Sequence, residues 1–246
     1  MLRTHDLVKR FGAHRAVDGV DLEVRAARLH AIIGPNGAGK TTLFNLLSGE
    51  LRPSAGRIEL GERDVTRLDA TSRSHLGMGR SFQRTNVFPN VTAFENVRLA
   101  AQSRTRRSFD PWSRAAALSA VEARAHAVLS EFGLGDRATA LASELAGGDQ
   151  RLLELAITLA TEPALLLLDE PSQGLSPQDA RALIDRIGTL AGRYTIVLIE
   201  HNMPLVMSLA DEITVMNFGR VLAHGTPAEI RANPKVRAAY LGTRTP

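Results

Sequence analysis

Nine residues, Gly34-Pro35-Asn36-Gly37-Ala38-Gly39-Lys40-Thr41-Thr42, constrain this chain more than any other stretch. They follow a short apolar run, Leu29-His30-Ala31-Ile32-Ile33, and lead into Leu43-Phe44-Asn45-Leu46-Leu47, which reads as a helix. A strand, a glycine loop and a helix in that order match the phosphate-binding pattern G-x-x-x-x-G-K-[ST]. Gly34, Gly37 and Gly39 let successive backbone N–H groups curl inward as an anion nest. A helix opening near Lys40 adds its free N–H groups and the positive end of its dipole. Lys40 supplies a point charge for outer phosphates, and Thr41 offers a hydroxyl to Mg²⁺. The bland alternative is an ordinary glycine-rich turn, but a chance match is roughly a one-in-a-hundred event at average glycine usage. The pattern implies a nucleoside triphosphate site.

At 246 residues the chain suits one large domain, or a core with a subdomain. Its 44% hydrophobic and 23% charged content is an ordinary globular profile. No window holds the roughly 18 uninterrupted apolar residues of a membrane span. The opening Met1-Leu2-Arg3-Thr4-His5-Asp6 lacks the apolar core of a secretory signal. Zero cysteines excludes disulfides and thiolate metal sites, which fits a reducing cytoplasm. A net charge of +4 is mild, and 4% aromatic content is too little for base-stacking platforms, so nucleic acid is not an expected partner.

Residues 1–28 alternate charged and branched types, as in Val17-Asp18-Gly19-Val20-Asp21-Leu22-Glu23-Val24, and predict antiparallel strands with one wet face. Arg57-Ile58-Glu59-Leu60, between turn residues, predicts another strand. From Thr92 to Ser143 the character turns helical: Phe94-Glu95-Asn96-Val97, then an alanine-rich stretch from Ala115 to Phe132. Strand signals return at Leu165–Leu168, Thr195–Ile199, Ile213–Met216 and Arg220–Ala223, with helices between them that argue a mostly parallel sheet. Arg98, Arg104, Arg106, Arg107 and Arg114 gather around the single tryptophan, Trp112. A solvated face is the first reading there; a phosphate-rich partner or a membrane edge is the second.

Leu165-Leu166-Leu167-Leu168-Asp169-Glu170 is bracketed by Pro163 and Pro171, too short for a helix and apolar enough for a strand covered on both faces. Two carboxylates at the carboxyl end of such a strand lie where open α/β sheets bind ligands. Asp169 can hold Mg²⁺ through a water, and Glu170 can orient or deprotonate the water that attacks a γ-phosphate. Alone, Asp-Glu could be a helix cap; beside the glycine loop the chemical reading prevails.

In order along nearly all of its length, the chain resembles the nucleotide-binding subunits of ABC transporters. Leu145-Ala146-Gly147-Gly148-Asp149-Gln150, just upstream of Asp169, falls where that family carries its Leu-Ser-Gly-Gly-Gln signature. Without the family, Gly-Gly before Leu152-Leu153-Glu154-Leu155-Ala156 would be a loop entering a helix from Gln150 to Ala160. The resemblance implies an α/β fold: a P-loop NTPase core with a mostly parallel sheet, an N-terminal antiparallel β subdomain and an inserted α-helical subdomain. Residues 1–91 and 162–246 would form the core with its β subdomain, and 92–161 the insertion carrying the signature. It further implies that Leu145, Ala146, Gly147, Gly148 and Asp149 contact ATP held by a second subunit. Ala146 and Asp149 depart from the family's serine and glutamine, and Gln173-Gly174-Leu175-Ser176 replaces a common Ser-Ala-Leu-Asp. By position, Phe11 would stack on adenine, Gln83 would touch Mg²⁺ and sense the membrane partner, and His201 would contact the γ-phosphate. Taken alone, Phe11 reads as core, Gln83 as unremarkable and His201 as structural. Bound ATP would meet Gly34, Pro35, Asn36, Gly37, Ala38, Gly39, Lys40, Thr41, Thr42, Gln83 and Asp169, with Thr41, Gln83 and Asp169 around Mg²⁺.

Within the family the likeness is to importers of branched-chain and other hydrophobic amino acids. Gly79-Arg80-Ser81-Phe82-Gln83-Arg84-Thr85, Val87-Phe88-Pro89-Asn90-Val91-Thr92 and the ending Asn233-Pro234-Lys235-Val236-Arg237-Ala238-Ala239-Tyr240-Leu241-Gly242 carry it. That group commonly has Ala and Asp at the two departing signature positions. The expectation is an ATP hydrolase on the cytoplasmic face of the inner (plasma) membrane. It would pair with a second ATPase subunit, two membrane-spanning permeases and, indirectly, an extracytoplasmic substrate-binding protein. The alternatives are an ABC system for another substrate, or a non-transport ABC ATPase.

Overall fold

The structure, a computed structural model, describes residues 1–81, 87–103 and 111–241, with the side chains of 111–117 and 241 left aside. Gln83, Arg104, Arg106 and Arg107 fall outside the described residues, as do the side chains of Trp112 and Arg114. The chain forms two compact units: Met1–Arg80 with Ala164–Glu170 and Ile187–Pro246, and Ser81–Pro163 with Pro171–Arg186.

The first unit opens with Leu2–Phe11 (β1) and His14–Val24 (β2), an antiparallel pair. Leu29–Ile33 (β3), buried throughout, runs into the glycine loop and Lys40–Ser48 (α1). Ala55–Leu60 (β4) returns antiparallel to β1 and pairs with the short Arg63–Asp64 (β5), giving a four-stranded sheet in the order β2-β1-β4-β5. Ala70–His75 (α2) and Met78–Arg80 (β6) close the amino-terminal part.

The second unit is helical. Ala93–Gln102 (α3), Pro111–Glu131 (α4) and Gly147–Ala160 (α5) pack on one another, burying Val97, Val121, Ala125, Val128, Phe132 and Leu153. Thr92 caps α3, its hydroxyl accepting the Glu95 N–H at 3.2 Å. The alanine-rich helix begins earlier than composition suggested, at Pro111, whose fixed φ and missing N–H suit a first helical turn. It stops before Gly133, at φ 72°.

The chain then returns to the first unit through Leu165–Asp169 (β7), with all five residues buried. Pro177–Leu190 (α6) follows, its residues to Arg186 counted in the second unit. After it come Thr195–Ile199 (β8), Met203–Leu209 (α7), Glu212–Asn217 (β9) and Arg220–Gly225 (β10). Pro227–Ala232 (α8) and Pro234–Leu241 (α9) end the described chain. The second sheet has the order β10-β9-β3-β8-β7-β6, parallel except for β10. Solid apolar runs suit these inner strands, since helices cover parallel sheets on both faces. The two sheets share one core, in which Leu7, Val20 and Ile58 of the first join Ile32, Leu167 and Val197 of the second. Fully burying each such side chain is worth about 1.5–3 kcal/mol.

Strand order sets up the chemistry. β8 lies between β3 and β7, so the glycine loop, the Asp169-Glu170 pair and His201 all leave the carboxyl end of three adjacent strands.

Candidate active site

The loop after β3 is held by backbone bonds: the Ala38 N–H donates to Pro35 at 3.1 Å and the Leu43 N–H to Gly39 at 2.9 Å. The turn between β9 and β10 braces it, the Gly219 N–H donating to the Ala38 carbonyl at 3.0 Å. Gly39 takes φ 96°, and a Cβ there would run into the Ala16 carbonyl, so both conformation and space demand glycine. Gly37, at φ 78°, faces open space. Asn36, Gly37 and Thr41 are exposed, leaving amides and a hydroxyl open to an incoming anion.

Lys40 is buried and folds back on its own loop, donating to the Gly34 carbonyl at 2.7 Å and to Pro35 at 3.2 Å. Burial holds its ammonium below the ordinary lysine value, while Glu170 and Asp169 pull it the other way.

Asp169 ends β7 with 3% of its surface exposed, and among the described residues its buried Oδ1 has no hydrogen-bond partner. Burial, helped by the Glu170 and Glu200 carboxylates, pushes its carboxyl up to about 6 against the pull of Arg80 and Lys40. A buried carboxylate oxygen with an unengaged lone pair, beside cations, is the donor that a hard divalent ion takes. Among the described residues no cluster of three or more His, Asp or Glu surrounds a metal position. A single such donor is compatible with Mg²⁺, an ion that keeps most of its shell for water and phosphate oxygens.

Glu170 has φ 46°, left-handed for a non-glycine residue, and its N–H donates to Ile199 at 2.9 Å. Such a conformation costs on the order of 1–3 kcal/mol and gathers at functional sites. His201 Nδ1 stands 3.8 Å from Glu170 Oε2 and 4.0 Å from Glu200 Oε2. The structure thus brings Lys40, Asp169, Glu170 and His201 to one place.

The remaining expected residues lie elsewhere or outside the described set. Phe11, at the end of β1, is half exposed rather than core, with Lys9 Nζ 5.3 Å from its ring centre. The signature belongs to the second unit. There α5 starts at Gly147 instead of Gln150, because Ala146 takes extended cap geometry and its carbonyl accepts the Gln150 N–H at 2.9 Å. Gly147 and Gly148 therefore present free first-turn amides, while Leu145 is buried and Asp149 pairs with Arg137. Nothing is described at Gln83.

Two participants carried no role in the sequence reading. Arg80 lies over the Phe44 ring at 5.0 Å, donates to Ser48 at 2.7 Å and Asn45 at 2.9 Å, and moderates Asp169. Glu200 is fully buried, and its Oε2 accepts the His201 backbone N–H at 3.2 Å. A carboxylate directly behind a strand-end histidine was the available signal for Glu200.

Comparison with known proteins agrees with this geometry. Residues 17–173 match the family model described as ABC transporter, and residues 220–245 match one described as branched-chain amino acid ATP-binding cassette transporter. The chain is 42% identical to the high-affinity branched-chain amino acid transport ATP-binding protein LivG of Salmonella typhimurium, covering 98% of both chains. It is 41% identical to BraF of Pseudomonas aeruginosa, a protein of the same description, again over 98% of each. Among solved structures, MJ1267 in its ADP conformation, an ATP-binding cassette of an ABC transporter, superposes with a TM-score of 0.84 at 30% identity, covering 98% of each chain.

Proposed function

The chain belongs to the ABC transporter family, and from that premise we propose that its ATP-binding cassette energises import of branched-chain or other hydrophobic amino acids. It is an ATP hydrolase of the ABC type, and among its described residues no helix is long and apolar enough to cross a membrane. The site residues divide the work. Lys40 and the loop amides from Gly34 to Thr42 grip the outer phosphates, with Phe11 against the adenine. Asp169, through a water, and the Thr41 hydroxyl would hold Mg²⁺, with Gln83 beside them, and the ion would supply positive charge to offset that of the outer phosphates. Glu170 orients the attacking water and takes its proton as the new P–O bond forms and the bond to ADP breaks. His201, steadied by Glu200, hydrogen-bonds the γ-phosphate. The observation that carries this reading is the convergence of Lys40, Asp169, Glu170 and His201 at the ends of neighbouring strands.

In the working assembly Leu145, Ala146, Gly147, Gly148 and Asp149 would close on ATP held by a second ATPase subunit. The core, 1–91 and 162–246, carries the nucleotide, and 92–161 carries that closing surface. Two permease subunits would place the cassette at the cytoplasmic face of the plasma membrane, with a binding protein outside delivering the amino acid.

Glu170→Gln tests the chemistry. General-base contributions run to about 10²–10⁴-fold, so turnover should fall by that factor while Mg-ATP binding persists. Hydrolysis measured by phosphate release, in whichever pairing is active, checks it. Near-normal turnover removes Glu170 from the mechanism.

A further inference from the structure

Helices α7, α8 and α9 enclose a groove of about 680 Å³ in the same unit as the phosphate loop. Met203 and Met207 of α7 and Ile230 and Val236 of the last two helices give it an apolar floor. Arg231 and Arg237 also line it, and their side chains make no ion pair or hydrogen bond among the described residues. Among the described residues no acidic side chain lines the groove.

These features select an occupant. The enclosing helices have 7, 6 and 8 residues. None exceeds about 12 Å in length, so the groove is a short cleft rather than a track for a long helix. The volume instead falls inside the roughly 300–1,000 Å³ typical of small-ligand sites. Two free guanidinium groups call for an anion, and carboxylate is the group they grip in bidentate fashion. A zwitterion would bring an ammonium with no counter-charge to meet it. Methionines adapt to branched aliphatic shapes. Five of the lining residues, Ile230, Arg231, Val236, Arg237 and Tyr240, lie within the segment 220–245 that matches the branched-chain amino acid cassette model.

We propose that this groove is a regulatory site for a small branched aliphatic monocarboxylate, typified by the 2-oxo acid left when a branched-chain amino acid loses its amino group. Tyr240 relays its occupancy. The phenol lines the groove and stands beside the backbone of Gly34, first residue of the phosphate loop. The Gly34 carbonyl is also the one that Lys40 holds. A ligand packed on Tyr240 therefore braces the loop with Lys40 folded onto Gly34 and lowers its affinity for ATP. By linkage, ATP lowers the affinity for the acid by the same factor. The choice of regulator rests on the transport reading; the site itself does not, and its binding is read without nucleotide or turnover.

Isothermal titration of the full chain with 4-methyl-2-oxopentanoate should give saturable binding. Leucine should bind at least about tenfold more weakly, the cost of an unmatched charge. The Arg231→Ala, Arg237→Ala double variant, altered only at exposed positions, should lose about tenfold or more in affinity for the acid and keep its affinity for Mg-ATP. Saturating acid should weaken Mg-ATP binding by about fivefold, at the low end of allosteric couplings. Tyr240→Phe should still bind the acid and lose that coupling. Absence of saturable binding overturns the site. Leucine binding as tightly as the 2-oxo acid, or affinity untouched in the arginine variant, overturns the ligand assignment. Coupling that survives in Tyr240→Phe overturns the relay.

Discussion

Asp169 holds a position that its own burial disfavours. A carboxyl normally near 3.8 sits at about 6, so the folded protein keeps a proton that the unfolded chain has released between those values. Stability from this group is present below the ordinary value and lost as pH rises through about 6. At neutral pH the penalty is roughly 2–3 kcal/mol. Asp169→Asn should therefore raise the melting temperature of the nucleotide-free protein at pH 7.5 while abolishing its ATPase activity. The gain should shrink as pH falls from 7 to 5, and a gain independent of pH would refute the electrostatic account. The residue types at this site were legible because phosphate chemistry requires glycine, lysine and carboxylate at set places. The supports were less so: Arg80 acts through side chains of α1 that lie 32 and 35 residues away in sequence, and Glu200 was marked only by standing directly before a strand-end histidine.

At the scale of elements, α5 shows how a helix can begin without its usual partner. Its cap, Ala146, has the extended geometry of a capping residue, φ −61° and ψ 156°, but no side-chain oxygen to accept a first-turn N–H. Ala146→Ser should supply one, worth about 1 kcal/mol. A rise of about 2–4 °C in melting temperature is expected for a chain of this size, checked by thermal denaturation. No rise would mean that those amides are already satisfied. Regular strands and helices were readable from apolar runs and proline brackets. Starting points were less so, because a cap is a backbone geometry: Gln150 looked like the first helical residue, yet the glycines before it already belong to the helix.

The whole molecule depends on a core shared by two sheets, and one buried histidine makes that core sensitive to acid. His30 of β3 is fully enclosed, its Nε2 2.8 Å from the Thr214 hydroxyl and its ring stacked on His224. Burial, reinforced by His224, lowers its value from 6.5 to about 3, although Glu212 lies 3.7 Å away. The unfolded chain takes up a proton below 6.5 that the folded chain refuses, so stability falls as pH drops through that window. Between pH 6.5 and 5 the loss is about 2 kcal/mol. His30→Gln should flatten that part of the curve, measured as urea midpoints at pH 7 and 5. An unchanged slope would place the acid sensitivity elsewhere. The strands of both sheets were foreseen from alternating and solid apolar runs, though not that they share one core; a histidine inside the strand gave no sign of its depth, because neighbouring strands from the far end of the chain enclose it.

The grip of Lys40 on the Gly34 and Pro35 carbonyls gives the loop a built-in competitor. Any anion that enters must outbid two carbonyls for the same ammonium before it gains that charge. Orthophosphate, with one point of attachment, recovers little for displacing them. In the proposed site a nucleoside di- or triphosphate would meet the nest, the helix end and the lysine together, and so would gain more than orthophosphate for turning the side chain outward. Discrimination against free orthophosphate would then begin with the two carbonyls that already hold the lysine.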